Sequence, residues 1–390
     1  MDGRRAPALV LVLVVCTSTM LGACDERRFG IGPGPPPPTG GSFARADWRV
    51  PIPSSYTGPT VDDSTVYFSS ARHEVYALRK SDGTRRWISM SIGLNFPIGH
   101  SLHFAQNLVL YPEFDLHAFD AATGVRAWVF SDSGHAAGGF STLSSDSSKV
   151  YGGSRSGVVV AVNLRDGTLA WRTHVSTDTG QVNVYSPLVS GGRVFAGYIK
   201  YSLPFSGGIV ALDAATGAAL WRRDLPPVTP DLWGGAYDGL VVWQDLVIVA
   251  SQDGRVTAFR SDSGFPVWTA PRPAGLGTGV NDSRPLAIVG DVVVVGSTLE
   301  LVQGLDARTG SVVWSRGTEG RGSINYPITS IGNTFLLLYT SLQVARLVGA
   351  TGSTLWETGL NFEPYLFVRP AFDSSRVFVA GDSGFYALRR

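Results

Sequence analysis

Gly-x-x-x-Trp returns seven times along the chain, at Gly83/Trp87, Gly124/Trp128, Gly167/Trp171, Gly217/Trp221, Gly264/Trp268, Gly310/Trp314 and Gly352/Trp356. Nine residues before each Trp stands an apolar residue: Leu78, Phe119, Val162, Leu212, Phe259, Leu305 or Leu347. The fullest copy, Ile209 to Trp221, reads as a buried strand ending in Ala-Leu-Asp, a turn closed by Gly, and a second strand carrying the Trp. Gly supplies the positive φ that a short hairpin loop needs. Asp120, Asn163, Asp213 and Asp306 stand at the turn entry, where a short polar side chain bonds nearby backbone N–H groups. The strand is apolar on both faces, so cover is expected on both sides. Trp offers a large area to a neighbouring unit, and no unit can bury its own faces alone.

An eighth Trp, Trp48, precedes the first complete unit, and the seven steps from Trp48 to Trp356 average 44 residues. That matches the ~40–45 residues of a four-stranded propeller blade. Between units, Pro59, Pro187, Pro285, Pro327 and Pro370 are each expected to open a strand, followed by a turn and a Val- or Phe-rich strand. Trp48 lacks an Ala-Leu strand before it, and Tyr386-Ala387-Leu388 lacks a Gly-x-x-x-Trp after it. The two halves complete one blade. The expected fold is all-β: an eight-bladed propeller of four-stranded blades over residues 43–390, its last blade closed by N- and C-terminal strands. Closure also hides edges that would invite aggregation.

Composition adds exclusions. A net charge of +1 gives no electrostatic case for binding nucleic acid. The 47 Gly and abundant Val, Tyr and Trp agree with short strands and many turns. The N-terminus reads as an address: Arg4 and Arg5, then an apolar run from Ala6 to Cys16, the layout of a signal peptide over residues 1–23. Leu21-Gly22-Ala23-Cys24 resembles the lipobox of bacterial lipoproteins, which implies cleavage before Cys24 and lipidation of that residue. Acyl chains there would hold the protein on the periplasmic face of the outer or inner membrane, each buried CH₂ adding about 0.8 kcal/mol. Residues 24–42, with Pro33 and Pro35 to Pro38 among glycines, read as a stiff extended tether.

The Ala-Leu-Asp-x-x-Thr-Gly-x-x-x-Trp unit resembles the pyrroloquinoline-quinone-like propeller repeat, in the wider class of WD40- and YVTN-like arrays. Leu212–Trp221 and Leu305–Trp314 match it closely. Arg79 and Arg260 replace the turn Asp, Gly304 and Arg346 the strand Ala, and Val348 the Asp of the seventh unit. Altered turns are expected there.

Few residues suggest chemistry. The eight Trps could form an aromatic cage, but their fixed offset from each turn Gly makes them blade-packing residues. Trp233 and Trp243 alone fall outside that register. Gly381-Asp382-Ser383-Gly384 looks like a serine nucleophile loop but sits where other blades place a hairpin turn. His100 and His103 would point to opposite faces of a strand, a poor metal pair. Asn stands beside an aromatic at Asn183/Tyr185 and Asn325/Tyr326, in segments that should gather at one end of the central funnel. They could line a ligand site, or cap turns and plug the funnel. Tyr198 to Phe205 lengthens its blade, and Tyr201 and Phe205 on a projecting hairpin, with Trp233 in the next loop, suggest a partner contact.

With the lipobox and tether, the repeat resembles the BamB family of envelope lipoproteins. The resemblance implies a monomeric, non-enzymatic scaffold that binds a protein partner in outer-membrane protein assembly, without a cofactor or metal. Quinoprotein dehydrogenases share the repeat but are longer, and use a Cys pair and a calcium ion beside the quinone. After cleavage this chain keeps Cys24 alone. A sensor of small ligands or glycans lies between the two readings.

Overall fold

A computed structural model describes residues 46–52, 57–90, 101–132, 139–176, 181–201, 205–227, 234–272, 285–318, 320, 324, 327–339, 344–359, 369–381 and 384–389. Cys24, the signal, the tether, Trp233, Asn325 and Tyr326 lie outside them. The described residues form eight four-stranded antiparallel sheets and no helix.

The expected hairpin is present in each copy. In the unit at Asp213, Gly208 to Leu212 pairs with Ala219 to Asp224, and Ala211 faces Trp221. The Asp213 Oδ1 accepts bonds from the Thr216 N–H at 2.8 Å and the Thr216 hydroxyl at 2.8 Å. Gly217 N–H closes the turn on the Asp213 carbonyl at 2.8 Å. Asp120 and Asp306 repeat this with Thr123 and Thr309. These Thr hydrogen bonds hold the Asp120 and Asp213 carboxyls below their usual range. The seventh unit departs, as its Val348 implies: Leu347 faces Trp356, a one-residue shift from the Ala211–Trp221 register.

Each turn glycine has a second reason to be glycine. The seven have φ of 66–77°, as expected. A Cβ on Gly83, Gly124, Gly167, Gly217, Gly264 or Gly352 would also lie 2.6–2.7 Å from a ring atom of the Trp one unit earlier; Gly310 meets Trp268 in the same way. Each of those Trp indoles donates to a carbonyl inside the turn beneath it, as Trp87 does to Ala121 at 2.8 Å, Trp171 to Ala214 at 3.0 Å and Trp314 to Ala350 at 2.9 Å. So the repeat is a lock between blades: flat indole on bare glycine, N–H on a buried carbonyl.

The seam that Trp128 closes differs from the sequence expectation in one respect. Trp128, which faces Ala118 within its own sheet, packs over Gly167 and donates to the Leu164 carbonyl at 2.9 Å, not to an Ala as at Trp87 and Trp171. The turn beneath it was expected to be capped by Asn163, as three other turns are by Asp120, Asp213 and Asp306. Instead the Asn163 Nδ2 donates to the Thr168 hydroxyl at 2.9 Å, and Asp166 Oδ1 accepts the Thr168 N–H at 3.0 Å. A neutral amide is a weaker acceptor than a carboxylate, so the cap passes to the acid inside the turn. The packing role is unchanged: Trp128 is as buried as Trp87, Trp171 and Trp221, whereas Trp48, Trp268 and Trp314 are half-buried.

A second motif was not read from the sequence. In Asp62-Asp63-Ser64-Thr65-Val66-Tyr67, Asp62 caps the first turn of its blade and accepts the Tyr67 hydroxyl at 2.6 Å. Asp146 and Tyr151 repeat it. Both phenols also reach the Ala121 and Ala214 carbonyls that the Trps use, at 3.2 Å.

The core is divided among the seams. Eight buried clusters each draw on two adjacent blades, and the last joins Trp48, Phe378, Phe385 and Ala387 to Val66, Phe68 and Leu78 of the first blade. Closure is as expected: Ala46–Val50 pairs with Gly384–Arg389, taking the outermost place in the eighth sheet. Gly381 faces Gly384 across the last hairpin, and Asp382 and Ser383 between them lie outside the described residues. Pro187 does not open a strand. It sits within Val182–Ser190, where the register shifts between Tyr185 and Leu188, because a bulge tolerates a residue without an N–H. Trp243 is not spare either: it packs in the seam between the fifth and sixth blades and donates to Asp291 Oδ1 at 3.1 Å.

Candidate functional site at the mouth of blades four and five

The alternation of strand directions gives the ring two ends. One carries the Gly turns. At the other, the hand-over end, each blade passes to the next. The first strands of successive blades neighbour one another around the axis. Most are short: two residues at Thr60–Val61, Ser144–Ser145 and Ala371–Phe372, three or four at His103–Ala105, Thr329–Ile331 and Leu286–Val289. Blades four and five are different, with Val182–Ser190 of nine residues and Ala236–Trp243 of eight. Both are bulged, between Tyr185 and Leu188 and between Ala236 and Leu240. Bulges in such strands re-aim side chains, commonly beside functional sites.

Two of the expected funnel residues, Asn183 and Tyr185, lie on one face of that bulged strand and converge with Tyr201. Asn183 Nδ2 donates to the Tyr185 hydroxyl at 3.0 Å, and the Tyr185 and Tyr201 hydroxyls are 2.8 Å apart. Tyr237, not singled out from the sequence, lays its ring 4.3 Å from that of Tyr185 at 39°. Asn183 is 6% exposed and its Oδ1 has no hydrogen-bond partner among the described residues, whereas Tyr237 is 44% exposed. Burial and the neighbouring Tyr201 push the Tyr185 phenol well above its usual range, so it stays protonated. Held in that form, the Tyr185 phenol can stack and exchange hydrogen bonds but offers no base near neutrality.

Of the hairpin behind it, the tip at residues 202–204 lies outside the described residues, and its base is packed. Tyr198 and Ile199 are fully buried, and Tyr201 and Phe205 half-buried. Gly207 and Gly235 are backed against each other, a Cβ on Gly207 lying 2.7 Å from the Gly235 Cα. Bonds from Leu225 N–H to the Gly207 carbonyl and from Gly235 N–H to the Leu225 carbonyl weld the two blades there.

A second buried polar group spans blades one and two. His73 Nδ1 lies 2.7 Å from Glu113 Oε1, and Glu113 Oε2 lies 3.7 Å from His117 Nε2. Burial holds the His117 imidazole below its usual range against the pull of Glu113 and Asp115, so it is neutral. His73 and Glu113 occupy equivalent turns one repeat apart, and that periodicity was the only signal of their meeting. Among the described residues no group of three or more His, Cys, Asp or Glu side chains is placed to hold a metal ion.

Comparison with known proteins follows the fold. The family profile described as outer membrane protein assembly factor BamB matches residues 39–89, 101–203 and 206–389, most of the chain. Outer membrane protein assembly factor BamB of Yersinia pestis is 30% identical over 252 residues, covering 61% of this chain and 60% of that protein. Matches of this kind cover only about half to three-fifths of the relatives' length. The crystal structure of BamB from Moraxella catarrhalis superposes with a TM-score of 0.65 at 16% identity, covering 88% of this chain and all of that one. Quinohemoprotein alcohol dehydrogenase from Comamonas testosteroni reaches 0.68 at 14% identity, covering 88% and 73%. At such identities both show the fold alone.

Proposed function

The chain belongs to the family of the outer membrane protein assembly factor BamB, and from that premise we propose that it is a non-enzymatic ring scaffold in outer-membrane protein assembly. It works by presenting loops on a rigid, closed set of blades to partner proteins of the cell envelope. The observation that supports this most is the span of the family match, which runs through all eight blades rather than one repeat. The proposal includes cleavage of residues 1–23, a lipid on Cys24, residues 24–42 as a tether, and a monomeric ring held at the periplasmic face of a membrane.

The quinohemoprotein neighbour raises a second reading, a quinone-dependent dehydrogenase. Calcium beside a quinone needs converging acidic donors, and no such group is placed among the described residues. The proposal assigns no cofactor.

Two measurements test the scaffold. Cross-linking in cells, then purification of the full chain, should recover proteins of outer-membrane protein assembly. Recovery of none, with folded outer-membrane proteins undiminished when the chain is deleted, overturns the reading. Cys24→Ser should move the chain from the membrane pellet to the soluble fraction; an unchanged pellet removes the lipid anchor.

A further inference from the structure

We propose that the mouth formed by Asn183, Tyr185, Tyr201 and Tyr237 is a binding site for a neutral saccharide. Three observations carry it. First, the four side chains bear no charge, and they combine aromatic faces with an amide and phenol hydroxyls. The C–H face of a pyranose stacks on such rings, and its hydroxyls exchange hydrogen bonds with amides and phenols. A charged ligand would find no counter-charge among these four, and a purely apolar one would leave the Asn183 Oδ1 unmatched.

Second, Asn183 is 6% exposed, its Nδ2 is engaged by Tyr185, and its Oδ1 has no partner among the described residues. An unfilled buried acceptor costs about 1–3 kcal/mol, so it favours a ligand that brings a hydroxyl donor. Third, the scaffold is altered to build this mouth. Only the first strands of blades four and five are lengthened to nine and eight residues among the described blades, and both are bulged next to a Tyr of the group. Packing alone does not need this, since the other blades close their seams with strands of two to four residues.

The test is titration calorimetry of the full chain with maltotriose, cellotriose and chitotriose as separate probes. At least one should bind saturably. Tyr237→Ala should weaken that binding about three- to tenfold, the value of one aromatic face. Tyr237→Phe should restore it, because the face and not the hydroxyl is needed, and Asn183→Ala should weaken it without moving the melt by more than a few degrees. Failure of all three sugars to saturate overturns the proposal. So does sugar binding indifferent to Tyr237→Ala, or saturation only by the aromatic peptide Gly-Tyr-Gly-Phe. Any of these leaves the assembly reading standing, since that rests on the family match.

Discussion

Arg376 Nε donates to Asp47 Oδ2 at 2.9 Å across 329 residues of chain, and Arg389 reaches the other oxygen, Oδ1, at 2.6 Å. Two arginines from the final hairpin thus hold the one acid of the N-terminal strand. Burial works against the charged form of Asp47, but the bonds from Arg389 and Arg376 outweigh it and hold the carboxyl below its ordinary 3.8. A depressed folded-state value stabilises the ring above pH 3.8, and that contribution is lost as pH falls through the lower folded value. Asp47→Asn should cost about 1 kcal/mol at neutral pH and leave a shallower loss of stability on acidification, read from urea melts at pH 7 and pH 3. Identical acid profiles would refute the clasp.

Deleting Phe385–Arg390 should lower the melting temperature sharply. Phe385 and Ala387 serve the seam with the first blade, Tyr386 and Leu388 the seam with the seventh, so one strand supports two clusters. Thermal scanning that shows an unchanged melt would mean the ring does not depend on its closing strand.

Trp171→Ala should cost about 3–5 kcal/mol, as for other large-to-small core changes. Trp171→Phe should recover part of the packing but not the bond to the Ala214 carbonyl, 3.0 Å away and also reached by Tyr151. Chemical denaturation of both variants separates packing from the hydrogen bond.

Gly217→Ala and Gly191→Ala form a matched pair. Both positions have positive φ, 75° and 55°, but a Cβ on Gly217 meets Trp171 at 2.6 Å while one on Gly191 meets nothing within 4 Å. Gly191→Ala should cost about 1 kcal/mol from backbone strain alone, and Gly217→Ala clearly more. Equal losses would show that the indole yields freely.

His103 should make the fold sensitive to mild acid. Burial lowers its pKa from 6.5 to about 4, and its Nε2 lies 2.8 Å from the Ser145 hydroxyl. Between those values the unfolded chain takes up the proton and the folded one does not, so stability falls as pH drops from 6.5 to about 4, by at most about 3 kcal/mol. His103→Gln should flatten that part of the pH–stability curve.

Much of the ring was legible because its rule is local and recurs. Asp213, Thr216, Gly217 and Trp221 lie within nine residues, so turn chemistry and strand alternation appear as spacing, and Trp48 with Tyr386 to Leu388 betrays the split blade. Most of the misread residues share a different property: their surroundings come from another blade. Tyr198 and Ile199 read as the start of an exposed apolar hairpin, yet they are buried, with Gly235 of the next blade against them. Trp243 looks spare until Asp291 arrives from blade six, and Tyr237 gains meaning only beside Tyr185. The turn under Trp128 is a local exception, where Asn163 and Asp166 both offered a cap and the spacing did not choose between them.

Sequence alone determined the number of blades, the composition of each hairpin and the way the ring closes, since these follow from short-range backbone chemistry repeated at a constant interval. The tertiary structure decided which side chains share a seam or a mouth, and why a turn glycine must be bare as well as left-handed. Those depend on side chains some forty residues apart being brought into contact, and no local pattern encodes the distance between them.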